Sequence, residues 1–328
     1  MQIRRLLFAA TLAAAGLSSA AAQAQAQAQA QDWPPSAAVR VIVPFAAGGP
    51  VDVPSRLMNE RLSAQTKGTF ILENRGGAGG TIGAHQVAQA APDGQTLLFT
   101  TSSLAIAPAL YSNLPFDPLQ FTAISLIAEV PIVLTVRGNS PIRTLAEYLA
   151  KAKAEPGKIS FGSGGVGTGN HLSGELLKIL AGVNLLHVPF RGMAPGMAAL
   201  YAGDIDSAFS STTEVLGPAR EGRLRVLGVC SPERLPELPD VPSIAELVPG
   251  YSMANWYALF GPPGLPPAIV QRLERELAAM QSHPPMVERA AAAGIKMKLT
   301  GSGVLRERMA AEVPRWKKLA GELKLKPD

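Results

Sequence analysis

The residues of this chain best suited to chemistry are glycines and hydroxyls rather than acids or bases. Val41-Ile42-Val43-Pro44-Phe45-Ala46-Ala47-Gly48-Gly49-Pro50-Val51-Asp52 reads as a strand, a glycine turn and a helix start. Ile159-Ser160-Phe161-Gly162-Ser163-Gly164-Gly165-Val166-Gly167-Thr168 repeats the device in the second half of the chain. Paired glycines let backbone N–H groups approach a ligand closely, and the helix behind adds unpaired N–H groups and a positive dipole end. Such a turn binds anions without a catalytic side chain, and Ser163 and Thr168 add hydroxyl donors. Either turn could also be a tight strand-to-helix connection and nothing more. Asp52 is expected to cap its helix and hold the first loop in shape, with contact to a ligand through water as the second possibility. His171 opens the helix after the second loop, where it either touches the ligand or caps the helix.

Other chemistries fit poorly. Gly162-x-Gly164-x-x-Gly167 matches the form of a dinucleotide-binding turn, but the next strand ends in His187-Val188-Pro189-Phe190-Arg191 and lacks the acid that would hold a ribose. There is no Gly-x-Ser-x-Gly elbow, no His-Glu-x-x-His and no phosphate-loop lysine. Only Ser163 or Thr168 with His171 offers even a nominal nucleophile and base, so no catalytic residue, metal site or cofactor is expected. The single cysteine, Cys230, excludes an internal disulfide and is expected to be buried in a strand.

These turns must be positioned by alternating strands and helices. Strands are expected at Val39–Phe45, Phe70–Glu73, Thr96–Thr100, Ile132–Val136, Lys158–Phe161, Leu185–Val188 and Leu224–Cys230. Helices are expected at Val53–Gln65, Thr81–Ala91, Thr144–Ala154, His171–Ala181, Ala194–Ala202, Pro267–Gln281 and Gly303–Leu323, the last kinked or split at Pro314. The alternation predicts mainly parallel sheets covered by helices. Pro232–Pro249 reads as a connector ahead of the apolar run Tyr251–Phe260. Residues 1–24 have the order of a cleaved secretory signal: Arg4 and Arg5, an apolar run too short to span a membrane, then small residues. Residues 25–35 form an Ala/Gln-rich segment expected to be disordered. Without a cysteine behind the signal, no lipid anchor is possible. The product is expected to be periplasmic, soluble and monomeric. The chain is 328 residues long, 47% apolar and 17% charged, with 30 basic against 25 acidic residues. That balance, without a basic run, argues against nucleic acid as a partner.

The ordered motifs Val43-Pro44-Phe45-x-x-Gly48-Gly49-x-x-Asp52, Glu73-Asn74-Arg75-x-Gly77-Ala78-Gly79-Gly80-Thr81-Ile82-Gly83, Ala91-Pro92-Asp93-Gly94, Leu114-Pro115-Phe116-Asp117-Pro118, Val188-Pro189-Phe190-Arg191-Gly192 and Leu238-Pro239-Asp240-Val241-Pro242-Ser243 resemble the Bug, or TctC, family. These are extracytoplasmic solute-binding receptors of tripartite tricarboxylate transporters. The resemblance runs from about residue 36 to the C-terminus. It implies a type II periplasmic-binding-protein fold, with lobe 1 at 36–131 and 253–328, lobe 2 at 132–252, two crossing segments, and a ligand in the interlobe cleft. It also implies a small organic carboxylate as cargo and the permease subunits of the transporter as partners, or a signalling partner if the receptor serves sensing. Carried onto this sequence, the ligand-binding residues are Phe45, Ala46, Gly48, Gly49 and Asp52 in the first loop, Ser102 and Ser103 after the third strand, and Ser163, Gly164, Gly165, Thr168 and His171 in the second loop.

The sequence departs from the family pattern at three places. Ala47 replaces a common Pro, and Val51 replaces a common Thr or Ser. Ser210-Ser211 stands where Asp-Asn often follows Phe209, which removes an acid suited to a ligand ammonium and argues for a ligand without one. Arg191 either pairs with a second carboxylate or covers the Pro189-Phe190 turn. The cargo expected is an aromatic carboxylate such as a phthalate-type diacid, or a short dicarboxylate.

Overall fold

The computed structural model describes residues 33–34 and 37–322; the expected signal and Ala/Gln segment, which run to residue 35, fall outside the described residues but for 33 and 34. Eleven strands form two sheets. They are β1 Val39–Val43, β2 Phe70–Asn74, β3 Thr96–Thr101, β4 Thr122–Val130, β5 Ile132–Arg137, β6 Ser160–Ser163, β7 Leu186–Pro189, β8 Ser207–Ser211, β9 Leu224–Val229, β10 Asn255–Gly261 and β11 Lys296–Thr300. The first sheet has the order β11-β4-β10-β3-β1-β2 and the second β7-β6-β8-β5-β9. The helices are α1 Asp52–Thr66, α2 Thr81–Ala88, α3 Ser103–Leu110, α4 Leu145–Ala154, α5 Gly169–Ala181, α6 Met193–Ala202, α7 Thr212–Arg220, α8 Pro267–Ala279, α9 Pro284–Ala292 and α10 Ser302–Glu322.

The expectation of mainly parallel sheets needs correction. β1 pairs in parallel with β2 and β3, and β6 with β7 and β8, but β10 and β5 run antiparallel to both of their neighbours. The reason lies in the crossings. β4 continues through Pro131 into β5, so one nearly unbroken strand passes from the first sheet to the second. The chain returns after β9 and enters β10. Ile132 carbonyl accepts from Cys230 N–H at 2.9 Å and Cys230 carbonyl from Met253 N–H at 2.8 Å, which ties the two crossings together. The strands that leave a sheet, β4 and β9, keep the direction of the βαβ strands, and the strands the chain then enters, β5 and β10, run against it.

Alternation along the strands fixes the layers. Val39, Val41 and Val43 face a core shared with Leu57, Met58 and Leu62 of α1 and Leu273 of α8. Ile42 and Leu98 face the opposite way, into a core that continues through Trp256, Met253 and Ile132 to Tyr148, Phe161 and Phe209 of the second lobe. Cys230 lies in this continuous core, where burial pushes its thiol up to about 12 and leaves it inert.

Pro314 does not split its helix; α10 runs unbroken from Ser302 to Glu322. Leu305, Met309, Val313, Trp316 and Ala320 bury one face on both sides of it. Pro314 and Ala310, whose carbonyl loses a donor, are both exposed, so the helix accommodates the proline on its solvent side.

Close packing of α5 on the second sheet depends on Gly174, because a Cβ there would enter the Phe161 ring. Gly174→Ala is expected to lower stability by about 1–3 kcal/mol. Gly303→Ala in α10, with open space around it, should raise stability by up to about 1 kcal/mol. Denaturant unfolding of the two variants beside the parent checks both.

Candidate functional site

Four helices begin directly behind strands β1, β3, β6 and β7, and their N-termini meet between the lobes. Pro50 and Val51 stand before α1, Thr101 before α3, Gly169 and Asn170 open α5, and Gly192 and Met193 open α6. With Phe45, Ala46, Gly49, Gly164, Thr168 and Asn255 they enclose an inner compartment of about 380 Å³ including its mouth. None of these residues is charged. The positive potential in this space comes from helix dipoles and backbone N–H groups. At α5, Thr168 Oγ1 accepts from His171 N–H and the Thr168 carbonyl from Leu172 N–H, which leaves the N–H groups of Gly169 and Asn170 for the cavity.

An outer compartment of about 670 Å³ adjoins it, with Phe45, Gly164 and Gly192 common to both. Its walls are Gly76–Gly80 and Tyr111 from the first lobe and Gly165, Val166, Phe190 and Arg191 from the second. Arg191 is exposed, and no ion pair of its guanidinium is found among the described residues. The lobes touch at this rim. A Cβ on Gly192 would lie 3.3 Å from Ala46 Cβ, one on Gly167 would lie 3.2 Å from Leu110 Cδ1, and one on Gly79 would strike the Val166 carbonyl oxygen.

The expected site residues divide into those on the cavity walls and those behind them. Phe45, Ala46, Gly49, Gly164, Gly165, Thr168 and Arg191 line one or both compartments. Gly48, at φ +79°, gives its N–H to Asp52 Oδ2 at 3.1 Å, and Arg56 Nε donates to the same oxygen at 2.8 Å. Asp52 therefore shapes the loop, as expected, but its side chain does not cap the helix. Ser103 and Thr101 bond one another. Ser102 Oγ donates to Asn255 Oδ1 at 2.9 Å.

His171 does not cap the helix, and it is not among the residues lining either compartment. Thr168 caps α5, and His171 sits behind the loop, its Nδ1 accepting from Gly167 N–H and its ring 4.3 Å from that of His187. Ser163 Oγ is 2.7 Å from His187 Nε2 and accepts from Gly165 N–H at 3.1 Å. Ser163 is fully buried under the loop, so this hydroxyl braces the turn and is closed to a substrate. Ser210 and Ser211 also lie off the cavity. Ser210 Oγ donates to Glu214 and approaches Met197 Sδ, and Ser211 Oγ is 3.4 Å from Tyr257 Oη. Burial raises the Glu214 carboxyl to about 8.

Several wall residues were missed in the sequence. Asn170 is marked only by its place at a helix start behind a glycine loop. Asn255 is the one amide in the apolar run Tyr251–Phe260.

Two α/β lobes, two crossings and a backbone-lined interlobe cleft define a periplasmic-type solute-binding protein. The model of the tripartite tricarboxylate transporter family receptor, TctC, matches residues 55–325, and the chain belongs to that family. It is 37% identical over 294 residues to a UPF0065 protein from the tcbD-tcbE intergenic region of Pseudomonas sp. strain P51, covering 89% of this chain and 88% of that one. The periplasmic binding protein BugD superposes with a TM-score of 0.84 at 34% identity, over 88% of this chain and 98% of BugD. An R. palustris protein solved with adipate gives 0.85 at 31% identity, over 89% and 99%. MatC from Rhodopseudomonas palustris with bound malate gives 0.82 at 31%, over 87% and 99%.

Burial, with the neighbouring His187 and Lys178, lowers the His171 pKa to about 3, from an ordinary value near 6.5. The unfolded chain takes up a proton first as pH falls, so this group's contribution is whole above about 6.5 and is lost toward 3. At pH 5 the loss is about 2 kcal/mol. Unfolding measured from pH 7.5 to 4.5 should show it, and His171→Asn should flatten that part of the profile.

Proposed function

We propose that the protein is a periplasmic receptor that captures a small organic diacid and delivers it to the membrane permease of a tripartite transporter. The observation that supports this is the meeting of four helix N-termini around an inner compartment that has no charged side chain. A carboxylate there gains N–H donors already in place and brings the only full charge. The outer compartment supplies Arg191 for a second carboxylate, past the ring of Phe45. The adipate and malate of the two R. palustris proteins are diacids of suitable size. A phthalate-type diacid has the same two ends and an apolar body to lie against Phe45.

Function follows from closure. Each lobe donates half of the anion site, so a bound carboxylate favours the closed arrangement, and the permease reads that arrangement. The chemistry on the ligand is binding alone.

Thermal unfolding against malonate through adipate, malate, citrate, phthalate, terephthalate, nicotinate and acidic amino acids tests the proposal. A diacid at a hundred times its Kd should add about 2.7 kcal/mol, a shift of a few degrees. Arg191→Gln should weaken the responding diacid about three- to tenfold and leave the matching monoacid nearly unchanged. If no carboxylate responds, and none is released on denaturing the purified protein, the proposal fails.

A further inference from the structure

Ser210 and Ser211 are turned away from the cavity, so any selection against a ligand ammonium must arise elsewhere. We infer that Asn255 makes this selection: its amide, fixed by Ser102, presents N–H donors to the inner compartment and demands an acceptor from the ligand. This rests on the diacid reading above and deepens it.

Asn255 is the first residue of β10, where the returning crossing joins the first sheet, and its side chain lines the inner compartment. It is 4% exposed. Ser102 Oγ, on the N-terminal flank of α3, donates to Oδ1. With Oδ1 accepting from Ser102, Nδ2 is left without a hydrogen-bond acceptor among the described residues, in a side chain that lines the compartment. An amide donor without a protein partner is best satisfied by a ligand carboxylate or hydroxyl oxygen. An ammonium would set donor against donor, in a space already made positive by helix N-termini. A Cβ on Gly169 would lie 3.7 Å from Asn255 Oδ1, which shows how close the second lobe comes to this amide. A ligand bonded to it is therefore gripped where both lobes and the crossing meet.

The test is calorimetric titration of the parent, Asn255→Asp and Asn255→Ala at neutral pH. The probes are matched pairs: succinate with aspartate, glutarate with glutamate, and adipate with 2-aminoadipate. The parent should favour the diacid of the best-bound pair at least about tenfold. Asn255→Ala should reduce that preference about tenfold by weakening the diacid, and Asn255→Asp, of the same shape, should reverse it. Circular dichroism and melting of the unliganded variants separate a binding effect from misfolding. If both folded variants keep the parent's preference, or the parent favours the amino diacid, the assignment of Asn255 is overturned and the carboxylate reading stands. If the parent binds none of the six, the assignment of Asn255 falls, and the diacid reading falls with it only if the carboxylate panel above also gives no response.

Discussion

One electrostatic feature organises the molecule: four helix N-termini meet around an enclosed space whose walls carry no charged side chain, which suits an anion held without a buried counter-charge. A buried arginine or lysine would carry its own desolvation cost whenever the cleft stood empty. Helix N-termini avoid that cost, because their N–H groups are neutral and already fixed by the fold. The price is positional. Four helices must start at one point, and only strands that end together at one edge of each sheet can arrange this.

That requirement accounts for the mixed sheets. β1 and β3 in one lobe, and β6 and β7 in the other, bring their helices to the cleft from two sides. The strands β4, β5, β9 and β10 join the halves. The β4–Pro131–β5 passage and the return into β10 run side by side and are bonded at Ile132, Cys230 and Met253. The hydrophobic core runs through Trp256, Met253 and Ile132 as well, so the joint is dry and well packed.

How much of this was legible depended on whether a residue's role was local. The glycine turns could be read because their backbone conformations are local demands: Gly48, Gly165 and Gly167 take φ of +79°, +121° and +82°. Strands β1, β3 and β9 announced themselves as apolar runs. β8 did not, since Ser207, Ser210 and Ser211 are buried with their hydroxyls partnered inside the fold, Ser207 donating to the Ser160 carbonyl at 2.8 Å, Ser210 to Glu214, and Ser211 paired with Tyr257. For the same reason the serine pair could be found but not aimed. Neighbouring strand residues point to opposite faces, and the faces that claimed these two belong to Glu214 and Tyr257. Asn255 was hidden by its apolar neighbours, although a single amide in such a run is itself the signal of a buried polar task.

At the cleft rim three glycines approach the opposite lobe: Gly192 stands near Ala46, Gly167 near Leu110 and Gly79 near the Val166 carbonyl. Side chains here would interlock and give the contact between the lobes stability of its own. Bare backbone lets the lobes come together with little gain from the rim itself, so on the proposed receptor reading the balance between open and closed forms is left to the bound ligand.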